Sequence, residues 1–121
     1  MATAVVIKPI HPANAFLART ELRFWDATDN TFKSWSGIAA DLTFGFYRDA
    51  NGTDGITGLT GLAASEVGTT AVYYAVVSAA STAALSPALV GNTIYLILQG
   101  GPSNEVKVAT PLRVTQPRYA Q

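Results

Sequence analysis

The residues able to do chemistry are few, and their spacing is poor for it. The chain holds one histidine, His11, and no cysteine. Thiolate nucleophiles, Cys-type zinc sites and disulfide scaffolds are therefore excluded. His11 sits between Ile10 and Pro12. A general base needs a nucleophile and an orienting partner, and no residue nearby supplies either. Ser34-Trp35-Ser36-Gly37 lacks the glycine two residues before the serine that a nucleophile elbow requires. Asp49-Ala-Asn51-Gly-Thr53-Asp54-Gly55 has the oxygen-rich look of a calcium loop. Such a loop needs Gly at its sixth position and Glu at its twelfth, where this chain has Asp54 and Thr60. A β-turn between two strands is the expected structure. Gly58, Gly61 and Gly68 lack the spacing of a phosphate loop. No catalytic residue, metal site or cofactor is expected.

The aromatic residues carry more weight. Phe24, Phe44, Phe46, Tyr74 and Tyr95 fall at strand positions and read as core. Trp25, Phe32 and Trp35 bracket the polar stretch Asp26–Asn30. Two readings stay open for them: a contact patch, since Trp and Phe anchor interfaces, or rings closing one end of the fold. Phe32, Trp35 and, after Pro117 and Arg118, Tyr119 are the interface candidates.

The elements that position these residues follow a period of two. In Phe16–Trp25, Phe16, Ala18, Thr20, Leu22 and Phe24 alternate with Leu17, Arg19, Glu21 and Arg23. Successive strand residues face opposite sides of a sheet, so this run predicts a half-buried antiparallel strand. Asp41–Arg48 repeats the pattern. Ala71–Val77 and Thr93–Gln99 are apolar on both faces and predict central, doubly covered strands. Val106, Val108, Leu112 and Val114 predict a final strand pair, with Pro111 at a break or an edge. Ala4–Ile7 predicts a first strand, ended by Pro9 and Pro12. Helix is confined to Ser78–Leu85, with a short 3₁₀ piece over Ser86–Val90. Turn residues separate these runs, at Asp26–Asn30, Asp49–Gly55, Gly91-Asn92 and Gly100–Asn104. The expectation is an all-β sandwich of about seven or eight strands, mostly antiparallel, with extended arms at 1–15 and 116–121. Its core should hold Leu22, Phe24, Leu42, Phe44, Phe46, Val72, Tyr74, Ile94, Leu96 and Val106.

Composition bounds the function class. The 121 residues suit one domain, and no linker or composition shift divides them. Eight basic residues balance eight acidic ones, so no positive field draws nucleic acid or anionic lipid. Charged residues are only 13% of the chain, against roughly 25% in an ordinary soluble protein. A chain this poor in charge associates readily, which suits a surface covered by partners. Val67–Asn104 carries no charge, yet Gly, Ser, Pro and Asn interrupt it too often for a membrane span. The start, Met1–Pro9, has no basic region before its short apolar run and does not read as a signal peptide.

Several of these segments form a recognisable series. Ala40-Asp-Leu-Thr-Phe-Gly-Phe46 precedes Glu66–Val77, Gly91–Leu98 and Pro111-Leu-Arg-Val114. The series, over about residues 38–116, resembles the small immunoglobulin-like domains of tailed-phage virion proteins, including the N-terminal domain of upper-baseplate proteins. One departure is that Gly68 is followed by four residues before the first tyrosine, Tyr73, where the family has its Gly shortly before it. The resemblance implies an immunoglobulin-like β-sandwich and a non-enzymatic structural role. A decoration (cement) protein on the capsid surface, bridging major capsid protein subunits, is the expected function. A homo-oligomer is expected, with a trimer favoured, and the short length favours decoration. Its alternatives are a tail or baseplate adaptor, and a carbohydrate- or receptor-binding module using Trp25, Phe32 and Trp35.

Overall fold

Side-chain alternation decides which face each strand turns inward, and most of the architecture follows from it. The computed structural model describes residues 7–115. Its strands are β1 (Lys8–Ile10), β2 (Phe16–Glu21), β3 (Arg23–Asp26), β4 (Thr31–Ser34), β5 (Leu42–Tyr47), β6 (Leu62–Ala63), β7 (Ser65–Glu66), β8 (Val72–Val77), β9 (Thr93–Gly100) and β10 (Val106–Val114). One helical turn, α1 (Ala79–Thr82), and two 3₁₀ turns complete the described elements. The fold is all-β. One sheet has the order β1-β10-β9-β5-β6 and a second has β2-β8-β7, while β3 and β4 pair only with each other. All pairings are antiparallel except β1 with β10.

The two larger sheets share one core. Leu42, Phe44 and Phe46 of β5, and Ile94, Leu96 and Leu98 of β9, cluster with Ala18 of β2 and Tyr73, Ala75 and Val77 of β8. Phe16 of β2 meets Phe46 of β5 edge-on at 6.0 Å between ring centres. Such edge-to-face pairs add to the benefit of burial itself. Ile97 points away from this core yet is also buried. The Asp49–Gly55 loop reaches over it, so that a Cβ on Gly52 would lie 3.0 Å from Ile97 Cδ1.

Several expectations are corrected. The Phe16–Trp25 run is two strands, because the chain changes partner at Leu22. Its N–H donates to the Ala71 carbonyl, and its own carbonyl accepts from Trp35 N–H. Phe24, one step beyond, is 39% exposed and not core. In β8 the inward set is Ala71, Tyr73, Ala75 and Val77, whereas Val72 and Tyr74 are half-buried and Val76 is exposed. An uninterrupted apolar run carries no parity, so its alternation could not tell the two faces apart. The final strand pair is one nine-residue strand, β10. Pro111 is tolerated there because β1 joins only from Leu112 onward, leaving β10 an edge at that residue. The first strand begins at Lys8 and includes Pro9, while Ala4–Val6 lies outside the described residues. Ser78–Leu85 is helical as expected, capped by the Ser78 side chain accepting from Ser81 N–H. Ser86–Val90 is turn rather than 3₁₀ helix. Splitting the second run and adding the two-residue strands β6 and β7 raises the described strand number to ten.

Candidate functional site

The polar stretch between Trp25 and Phe32 is the turn of a hairpin. Asp26 Oδ1 accepts from Thr28 N–H at 2.9 Å and from Asp29 N–H at 3.3 Å. Asn30 closes the turn with φ near 59°, a left-handed conformation that Asn tolerates better than most residues. The register then sets Trp25 directly opposite Phe32, and Phe24 opposite Lys33. Opposed residues share a face, so the hairpin has two faces of different character.

The outer face carries Trp25 and Phe32, with ring centres 5.0 Å apart and ring planes at 73°. They are 51% and 65% exposed. Two large rings left in water at adjacent positions form an exposed apolar patch. The other face turns toward the body. Phe24 meets Trp35 edge-on at 5.8 Å, and Trp35 packs against the core. Trp35 is therefore a hairpin support, half-buried, and not part of the exposed face. Of the interface candidates, Phe32 stands on that face and Tyr119 lies outside the described residues.

Charges fix the turn. Lys33 Nζ lies 2.8 Å from Asp26 Oδ2 and also pairs with Asp29. The Lys33 hydrogen bond, with backbone N–H groups of Asp29 and Thr28, holds the Asp26 carboxyl below its ordinary range. Asp26 and then Asp29 raise the Lys33 ammonium above its own.

The base of the hairpin is clamped by residues that sequence reasoning missed. The buried Tyr73 hydroxyl donates to the Trp35 carbonyl at 2.8 Å and accepts from Ile38 N–H at 3.4 Å. Burial pushes this phenol above its ordinary pKa. Glu66 spans the same junction, one oxygen accepting from Gly37 N–H at 2.9 Å and the other from Ala71 N–H at 2.8 Å. Neither residue lies near the hairpin in sequence, so no local signal could have disclosed the clamp. The hairpin itself did leave a signal. An Asp/Asn-rich turn between two aromatic-containing runs is a hairpin pattern.

A second apolar surface lies on the outer face of β2 and β8. Leu17, Val67 and Val76 are 48%, 49% and 70% exposed. Leu17, Arg19, Val67 and Tyr74 line a shallow depression of about 270 Å³.

Asp49 and His11 are occupied in a turn and a tie. Asp49 accepts from the N–H groups of Thr53 and Asp54, at 3.0 and 2.9 Å, and from the Thr53 hydroxyl at 2.5 Å. These bonds hold Asp49 below the ordinary carboxylate range, the Thr53 hydroxyl contributing most. His11 Nδ1 lies 2.8 Å from the Thr115 carbonyl, tying the end of β1 to the end of β10. Among the described residues, no three His, Asp or Glu side chains gather as a metal site would require. No family model, curated protein or solved structure matches the chain.

Proposed function

We propose that this chain is a non-enzymatic structural protein of a tailed-phage virion, bound to the capsid surface as a decoration protein. The observation that carries this reading is the clamped hairpin with Trp25 and Phe32 outward. A rigid arm bearing exposed rings suits docking onto another protein, because little conformational entropy remains to be lost on binding. The resemblance of residues 38–116 supplies the virion context.

The strand order supports an immunoglobulin-like sandwich. β10-β9-β5 facing β2-β8-β7 follows the G-F-C and B-E-D order of that fold. In this correspondence the hairpin occupies the B–C connection, where variable immunoglobulin domains carry a binding loop. The partner is the major capsid protein, bridged between neighbouring subunits so that several weak contacts act together.

Co-sedimentation of the purified protein with capsids that lack it tests the proposal. Binding is expected, and the double variant Trp25→Ser/Phe32→Ser should lose it while keeping the native circular dichroism spectrum. Binding to tails or baseplates alone would replace decoration by the adaptor reading. Retention of capsid binding by the double variant would reject the hairpin as the docking element.

A further inference from the structure

Among the described residues, β2 is the longest edge strand of the two larger sheets. Their edge strands are β1 with three residues and a proline, β6 and β7 with two residues each, and β2 with six. Short strands, prolines and charged side chains are how sheet edges are kept from pairing with other chains, and β2 has only the last, as the opposite charges of Arg19 and Glu21. The direction of its free groups follows from the ladder. Leu22 N–H donates to Ala71, so the even residues of β2 turn their backbone groups toward β8. Leu17, Arg19 and Glu21 turn theirs outward, and all three are exposed.

From this edge we infer that two copies of the chain pair through β2, antiparallel, about a two-fold axis at Thr20. The inference goes beyond capsid docking and is independent of what the hairpin binds. In an antiparallel two-fold pair, only registers that bring outward groups together form hydrogen bonds. Centring on Arg19 would set two like charges face to face. Centring on Thr20 sets each Arg19 opposite the other copy's Glu21, with hydrogen bonds exchanged at both pairs and the two threonines adjacent on the axis. Charge therefore selects the register. Arg19 has no ion pair among the described residues, and Glu21 meets Arg23 Nε at 3.3 Å through Oε1, leaving its other oxygen free for Arg19 of the second copy. The product is a continuous six-stranded sheet, and its symmetry makes the solution species a dimer rather than the trimer expected from the sequence.

Analytical ultracentrifugation with a charge exchange decides the matter. The wild type should sediment as a dimer at micromolar concentration. Arg19→Glu and Glu21→Arg, each alone, place like charges opposite one another and should weaken dimerisation at least tenfold. The combined variant R19E/E21R should restore it, and circular dichroism checks that each variant is folded. A monomeric or trimeric wild type, single variants that dimerise normally, or a combined variant that stays monomeric would overturn the inference.

Discussion

The Tyr73 hydroxyl serves the Trp35 carbonyl and the Ile38 N–H from a fully buried ring. Tyr73→Phe keeps the ring and removes both bonds, leaving buried backbone groups unpaired. It should cost about 1–3 kcal/mol in urea unfolding, the usual penalty for such orphans. Gly100 is equally constrained. Its φ is +122°, and a Cβ there would lie 2.1 Å from the Asp41 carbonyl oxygen, which already accepts from Gly101 N–H. Gly100→Ala must move backbone and adopt a strained conformation, so a loss of at least about 3 kcal/mol is expected in the same measurement. Local roles were legible in the sequence at this scale. Asp26 bonding turn amides follows from residue type alone, whereas Tyr73 and Glu66 reach Trp35, Ile38 and Gly37 across 38, 35 and 29 positions, which only the folded topology brings near.

The hairpin is the element whose behaviour depends on charge. Asp26 has its pKa lowered in the fold, so its contribution is present above the ordinary carboxylate value and is lost as pH falls through the lowered one. Lys33 is raised, so its contribution is complete below the ordinary lysine value and is lost only as pH rises through the raised one. The Asp26–Lys33 pair is therefore intact across the neutral range. A carboxyl-detected NMR titration should place the Asp26 midpoint below that of an ordinary aspartate. Lys33→Met should move that midpoint upward, because Lys33 is the largest cause of the shift. At this scale the strands β2, β5 and β9 were legible through alternation or apolar content. The facing of β8 was not, since Val72–Val77 is apolar at every position. Nor was the departure of Phe24 from the sheet, because Leu22 and Phe24 continue the same alternation across the break.

For the whole molecule, the core and the exposed rings separate stability from recognition. Phe44 has no exposed surface, and Phe44→Ala should cost roughly 3–5 kcal/mol. Trp25→Ser/Phe32→Ser should change thermal unfolding by no more than about 1 kcal/mol, since surface changes of this kind are nearly neutral. Low charge and zero net charge, legible from composition, agree with apolar residues exposed on both the hairpin and the outer β2–β8 face. Which faces those would be was not legible, because exposure is a property of packing. Among the described residues, the hairpin joins the rest of the chain at its root, through Leu22, Trp35, the Arg23–Glu21 ion pair and the Phe24–Trp35 ring contact. Residues 25–32 are thus an exchangeable cassette. Their sequence can be rewritten for a new target, by selection or by an engineer, without touching the positions that let the scaffold fold.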